Sequence, residues 1–158
     1  MGVIEDRLTQ MGLTLPPAFT YPSPNRTGCV QVANMLYLSG HGLGLPTLPG
    51  VRQRGKVGSE VSEQEASETA KAVALTMLAT IKKHCGDLDK VKRVVRLFGM
   101  VNSAPNFERQ AFVIDGASDL FLVLWGPEYG QHARSAVGMA ELPRRIPVEI
   151  NGEFELHS

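Results

Sequence analysis

The amino-acid sequence predicts an α+β fold, in which a mixed sheet carries two helices on one face and an extra helix precedes the sheet. Strand-like and helix-like segments follow one another in the order β-β-α-β-α-β-β after that first short helix. The length of 158 residues suits a single domain with its own core. These observations together favour one layer of helices packed on one sheet.

The first predicted element is a short amphipathic helix over residues 3–11. Its apolar residues recur at helical spacing: Val3, Ile4, Leu8 and Met11. A segment rich in Pro, Thr and Ser follows, and we expect an ordered arm because too few residues precede it to form a domain. We therefore divide the chain into an N-terminal helix and arm, residues 1–23, and a single domain, residues 24–158.

The next segment, CVQVANMLYLSGHG, predicts two short strands that meet at a turn at ANM. Residues 42–61 are rich in Gly and Pro and predict a long loop. A helix begins after Ser62, because SEQE is a capping box in which the Ser62 hydroxyl accepts from the Glu65 amide. Gly86 ends this helix. Its apolar stripe is Ala66, Ala70, Val73, Met77 and Ile81.

The second half of the chain continues the alternation. The segment VKRVVRLFGMV predicts a strand, and a second helix begins near Pro105 with a kink or interruption at Gly116. The segments ARSAVGMAEL and IPVEINGEFEL then predict two strands joined by a short turn at PRR.

Composition narrows the function classes. Sixteen basic residues balance sixteen acidic ones, which argues against a nucleic-acid-binding domain. No apolar run reaches the roughly 20 residues of a membrane span, and the N-terminus lacks a signal-peptide pattern, so we expect a cytoplasmic protein. Cys29 and Cys85 are expected to be free thiols there. The four histidines lack metal-ligand spacing, and we expect no metal site.

Arg134 occupies a position in a strand where an apolar residue is usual. Its neighbours on the same face are small: Ala136, Gly138 and Ala140. We expect a sheet of a second subunit to approach this face and leave room for a small ligand, while Val137 and Met139 pack on the helices. If the last strand pairs with this one, Glu149 comes near Arg134, so a cross-strand ion pair and an anion-binding arginine both remain open.

Two stretches carry a signature. In the first, Ala133-Arg134-Ser135 is followed by Leu142-Pro143 and then Val148-Glu149-Ile150; in the second, Asn34 precedes Ser39-Gly40. The combination resembles the Rid or YjgF family, the reactive intermediate deaminases, over roughly residues 24–156. This resemblance implies a fold similar to the Bacillus-type chorismate mutase. It also implies a homotrimer with clefts between its subunits.

The resemblance further implies an activity, the hydrolysis of 2-imino acids and their enamine tautomers to 2-keto acids and ammonia, without cofactor or metal. Arg134 would hold the substrate carboxylate, since its planar fork meets a carboxylate through two hydrogen bonds. Glu149 would position or activate the attacking water. Backbone groups around Ser39 and Gly40 would line the cleft, because glycine lets the main chain approach a ligand.

The sequence departs from the family pattern at several positions. An ungapped count places Arg26 where many members have a cleft tyrosine, and a second cation there favours a dianionic or larger acidic substrate. His41 replaces a glutamine and is either an acid–base group or a loop histidine without a role. Asp115 is the nearest match to a helix asparagine. Ala136 stands where a cysteine is common, which excludes covalent modification at that position.

Three functions therefore remain open. The first is the deaminase, acting through Arg134 and Glu149. The second is a non-catalytic or regulatory protein that binds a small carboxylate on the same trimeric scaffold. The third is an endoribonuclease, against which the balanced charge argues.

Overall fold

The computed structural model describes residues 2–43 and 54–158, and it has the predicted α+β architecture. The strands are Cys29–Val32 (β1), Met35–His41 (β2), Val91–Asn102 (β3), Ala133–Met139 (β4) and Val148–Leu156 (β5). The α-helices are Val3–Gln10 (α1), Glu63–Cys85 (α2) and Gln110–Tyr129 (α3). The sheet has the order β1-β2-β5-β3-β4; β3 and β4 run parallel, and the other neighbours are antiparallel.

Helices α2 and α3 cover one side of this sheet, which we call the helix face; the other side is the open face. Strand β5 shows the division, because Val148, Ile150 and Phe154 are fully buried in the core while Glu149 and Glu153 alternate with them and are only partly buried. This two-residue period is what a sheet covered on one side requires. The prediction that the helices share one face is confirmed.

Both ends of α2 lie where the sequence predicts them. The Ser62 hydroxyl accepts from the Glu65 amide at 3.0 Å, and the Glu65 carboxylate accepts from the Ser62 amide at 2.9 Å. Gly86 closes the helix in the left-handed region, with φ of 83°, and its amide donates to the Lys82 carbonyl. Local capping therefore fixes both ends of this helix.

Helix α3 differs from the expectation at two places. It begins at Gln110 rather than near Pro105, and it continues through Gly116. At Gly116 it crosses α2 so closely that a Cβ there would lie 2.0 Å from the Ser67 carbonyl oxygen. The break comes instead at Gly126, where φ is 75° and Pro127 follows.

The N-terminal helix α1 is tied to the rest of the fold. The Asp89 carboxylate accepts from the amides of Val3 and Ile4 at 2.7 and 2.9 Å, which caps the helix. Ile4 and Leu8 lie in the same hydrophobic core as the sheet and the long helices. Of the predicted loop 42–61, residues 44–53 lie outside the described residues.

Neither cysteine forms a disulfide: Cys29 is buried and Cys85 partly buried. Burial raises the pKa of Cys29 to about 11. Within residues 2–43 and 54–158, no helix is both long enough and apolar enough to cross a membrane.

Candidate functional site

The candidate residues fall on two opposite faces of the sheet. Strands β4 and β5 do not pair, because β3 lies between them. Arg134 is in register with Leu97 on β3, and Glu149 is in register with Met100. Positions three residues apart on a strand point to opposite faces. The expectation that Glu149 approaches Arg134 across paired strands is therefore wrong.

The small residues around Arg134 lie on the helix face. Ala136 packs against the core, and a Cβ on Gly138 would lie 2.9 Å from the Ser103 hydroxyl. Helix α3 and the turn before it cover this side of β4, so small residues there leave room for the helix rather than for a second sheet. Val137 and Met139 lie on the open face. The prediction that they pack against the helices is wrong, because the buried face of an edge strand is the one that a neighbouring element covers. Here α3 covers the face that carries Arg134.

Arg134 is held by a chain of hydrogen bonds on this face, and we call Asp115, Ser118, His132 and Arg134 the Arg134 cluster. The guanidinium donates to the Asp115 carboxylate at 2.7 Å and to the Ser118 hydroxyl at 3.1 Å. The Ser118 hydroxyl donates to His132 Nε2 at 2.9 Å, and His132 Nδ1 donates to the Gly130 carbonyl at 2.7 Å. Burial lowers the pKa of His132, which favours this neutral tautomer.

Asp115 is the solvent-facing partner in this cluster. Its side chain is 48% exposed, whereas that of Arg134 is 21% exposed. An ion pair with one half in water contributes about 0–1 kcal/mol. An incoming carboxylate can therefore compete with Asp115 for the guanidinium, while Ser118 keeps the guanidinium oriented. Arg134 is nevertheless already paired with a carboxylate of its own chain. The sequence left open an ion pair with Glu149, and the structure has an ion pair with Asp115 instead.

The second cluster is centred on Glu149, which lies on the open face, and we call Tyr21, Arg26, Ser39, Gly40 and Glu149 the Glu149 cluster. The ladder between β2 and β5 is interrupted between Leu38 and His41, and Ser39 and Gly40 form this irregularity. A Cβ on Gly40 would lie 2.6 Å from Glu149 Oε2, so the bare backbone makes space for the carboxylate. Burial raises the pKa of Glu149.

Tyr21 is the residue that sequence reasoning missed. Burial and the charge of Glu149 raise the pKa of Tyr21, whereas Arg26 and Ser39 lower it. The Arg26 guanidinium lies over the Tyr21 ring at 5.5 Å. The ungapped count finds Arg26 where a tyrosine is expected, yet a tyrosine five residues earlier reaches Ser39. The sequence offers one indication of this role, an aromatic residue within an arm that is otherwise rich in Pro and Ser.

His41 does not line either cluster, which corrects its placement among the cleft residues. Its side chain is buried on the helix face; Nδ1 donates to the Ser39 carbonyl at 2.6 Å and Nε2 accepts from the Thr80 hydroxyl at 2.8 Å. Burial lowers the pKa of His41 and favours the neutral ring that this pattern needs. The histidine thus anchors the irregular part of β2 to α2.

The two clusters supply complementary chemistry. One offers an oriented guanidinium and the other a half-buried carboxylate of raised pKa beside a tyrosine hydroxyl. In the part of the chain that the structure describes, no group of three or more His, Cys, Asp or Glu side chains is placed to hold a metal ion.

Comparison with known proteins agrees with the architecture. Residues 5–145 match the model of the family described as "YjgF/chorismate mutase-like, putative endoribonuclease". The chain is 39% identical over 158 residues to Protein TCP17 of Trypanosoma cruzi, with 99% of this chain and 96% of that protein covered.

Two solved structures are similar over nearly the whole fold. The Agrobacterium tumefaciens protein Atu1372 is 39% identical with a TM-score of 0.87, covering 98% of this chain and 93% of its own. A "putative endoribonuclease" from Shewanella oneidensis is 28% identical with a TM-score of 0.88, covering 98% of this chain and 100% of its own. With its motifs, its fold and these relatives in agreement, the chain belongs to the YjgF/chorismate mutase-like family.

Proposed function

We propose that the protein hydrolyses 2-imino acids and their enamine tautomers to 2-keto acids and ammonia. The observation that carries this proposal is the Glu149 carboxylate, partly buried beside the bare backbone of Gly40 and within the electrostatic reach of Tyr21. No ion pair within the described residues involves Glu149. A carboxylate with a raised pKa and no bound cation is suited to accept a proton from water.

The reaction balances through this one group. Glu149 takes a proton from water while the oxygen bonds to the imine carbon, and the electron pair of the carbon–nitrogen double bond moves to the nitrogen. Glu149 returns this proton to the nitrogen, which completes the carbinolamine. Glu149 then takes the hydroxyl proton and delivers it to the nitrogen, so that the carbonyl of the keto acid forms, the carbon–nitrogen bond breaks and ammonia leaves. A positioned general base typically contributes about 10²–10⁴-fold to such a step.

The substrate carboxylate needs an oriented cation near Glu149, and Arg134 is on the opposite face of the same sheet. We therefore propose that the active site joins the Arg134 cluster of one copy to the Glu149 cluster of another, in a homotrimer with clefts between subunits. Two features support this assembly. Strand β4 is an edge of the sheet, and partly buried apolar residues lie on the open face: Phe98, Met100 and Val137.

Mixing two inactive variants tests both parts of the proposal. Hydrolysis is followed with 2-imino acids generated by an amino-acid oxidase, with semicarbazide trapping the surviving imine. The wild-type protein should lower the amount of imine trapped by semicarbazide, whereas Arg134→Ala and Glu149→Gln should each leave that amount at its value without enzyme. When the two variants are unfolded together and refolded at equal amounts, a cleft shared by two copies should recover about a quarter of the wild-type activity, because one neighbour pair in four is intact.

The outcomes separate the possibilities. No recovery in the mixture, with each variant folded and the two variants shown to assemble together, would refute the shared cleft. Wild-type protein without effect on any imine would refute the deaminase. RNA cleavage that both substitutions abolish would favour the endoribonuclease instead.

The second candidate is a protein that binds small carboxylates without turnover. The separation of the two clusters favours it, because Arg134 can bind a carboxylate while Glu149, the candidate base, lies on the opposite face of the same sheet. This function predicts calorimetric binding of a 2-keto acid that Arg134→Ala abolishes and Glu149→Gln leaves intact, with no effect on the imine.

A further inference from the structure

A groove of about 520 Å³ lies between the arm and the last turns of α2. The arm supplies Phe19, Tyr21 and Arg26, and α2 supplies Thr80, Lys83 and His84. Its volume falls in the range of sites that hold small organic ligands. Phe19, Lys83 and His84 belong to neither the Arg134 cluster nor the Glu149 cluster, whereas Tyr21 and Arg26 line both the groove and the Glu149 cluster.

The groove carries basic side chains without acidic ones. None of the residues that line it is Asp or Glu. Within residues 2–43 and 54–158, no ion pair involves Arg26, Lys83 or His84. Arg26 donates to the neutral side chain of Asn25 and lies over the Tyr21 ring, and His84 is hydrogen-bonded to the neutral side chain of Gln31. Three basic groups around one cavity favour a negatively charged occupant.

The helix dipole explains only part of this arrangement. Basic residues are favourable in the last turn of any helix, and Lys82, Lys83 and His84 all lie there in α2. Lys82, which does not line the groove, is paired with Glu5 at 2.9 Å. Lys83 and His84 face the cavity without such a partner, and Arg26 joins them from the arm, where no helix end requires a cation.

The arm also gives the groove an aromatic surface. Phe19 is 52% exposed, and its ring meets that of Tyr21 edge to face at 4.9 Å. An exposed phenyl ring beside a guanidinium-stacked tyrosine offers a surface on which a flat group can stack. The groove therefore combines a stacking wall with a basic one.

We propose that this groove is a binding site for an aromatic organic anion, a planar ring bearing a phosphate or carboxylate. The ring stacks against Phe19, and the anionic group is bound by Lys83, His84 and Arg26. Arg26 and Tyr21 are shared with the Glu149 cluster, but the test of this site is independent of the proposed hydrolysis, because it uses no imine and its variants, at Lys83 and Phe19, lie outside both clusters.

Calorimetry with phenyl phosphate, phenol and inorganic phosphate tests the proposal on the full chain. Phenyl phosphate should bind more tightly than phenol or inorganic phosphate, because only it engages both walls. Lys83→Gln should weaken its binding roughly tenfold, as expected for loss of a charge-assisted hydrogen bond. Lys71→Gln, on the same helix but outside the groove, is the matched control and should leave the affinity unchanged.

Phe19→Ala isolates the stacking wall. It should bring the affinity for phenyl phosphate down to that for inorganic phosphate while leaving the latter unchanged. Equal affinities for phenyl phosphate and inorganic phosphate in the wild type would overturn the proposal, as would a Lys83→Gln variant that binds like the wild type. A loss of affinity in Lys71→Gln equal to that in Lys83→Gln would also overturn it, since general surface charge would then be responsible.

Discussion

Adding one methyl group at Gly40 tests the Glu149 cluster most directly. In Gly40→Ala the new Cβ lies 2.6 Å from Glu149 Oε2, whereas comfortable contacts between heavy atoms begin at about 3.5 Å. The carboxylate must therefore move by about 1 Å. Because the contact is with the end of a flexible side chain, and Gly40 is exposed with no positive φ, we expect the free energy of unfolding to change by less than about 1 kcal/mol.

The effect on catalysis should be far larger than the effect on stability. A misplacement of about 1 Å in a reacting group costs on the order of 10²-fold in rate. The assay measures kcat/KM for imine hydrolysis by semicarbazide trapping, and urea unfolding measures stability in parallel. Gly42→Ala is a matched control, because its methyl would meet the Ile146 side chain rather than a carboxylate, and it should keep activity near the wild-type value.

A double-mutant cycle shows whether the loss passes through Glu149. In the Glu149→Gln background the base is already absent, so Gly40→Ala should add little further loss. Activity of Gly40→Ala within about twofold of the wild type would refute the reasoning, since a displaced base cannot retain full rate. An equal loss in both backgrounds would refute it as well.

Three other predictions concern the two clusters and the helix crossing. Asp115→Asn should lower KM by up to about fivefold, because the carboxylate that competes for Arg134 is gone, and should cost less than about 1 kcal/mol of stability measured by urea unfolding. Gly116→Ala should destabilise the fold by about 3 kcal/mol or more in the same measurement, because its methyl would lie 2.0 Å from the Ser67 carbonyl. The acid limb of the kcat/KM profile should lie above pH 4.5, because Glu149 acts ionised and burial raises its pKa, so activity is lost as the pH falls through that raised value.

Each of these has a contradicting result. A raised KM in Asp115→Asn would make Asp115 part of the substrate site rather than a competitor. A Gly116→Ala variant as stable as the wild type would mean that the two helices separate at no cost. An acid limb at or below pH 4.5 would assign the titration to a group other than Glu149.

Local signals account for what the sequence predicts well. The capping box at Ser62 and the left-handed Gly86 act within one turn of α2, so neighbouring residues alone predict both ends of the helix. The alternation in β5 likewise assigns Glu149 to the open face, because every second residue must enter the core.

What the sequence predicts poorly depends on packing between distant segments. The face of Arg134 follows from α3 lying over an edge strand, and the small residues of β4 are compatible with either face being covered. Gly116 looks like a helix breaker, but it serves a close helix crossing, and the break occurs at Gly126. Tyr21 comes from an arm without periodicity, so its approach to Ser39 has no local signature.

Thr80 links the groove to the Glu149 cluster. Its side chain lines the groove, and its hydroxyl donates to His41, which in turn donates to the Ser39 carbonyl. A ligand that binds in the groove and displaces Thr80 therefore disturbs the hydrogen bonds that position the backbone of Ser39, next to Gly40 and Glu149. Thermodynamic linkage makes this influence mutual: the factor by which one occupant alters the affinity for the other is the same in both directions.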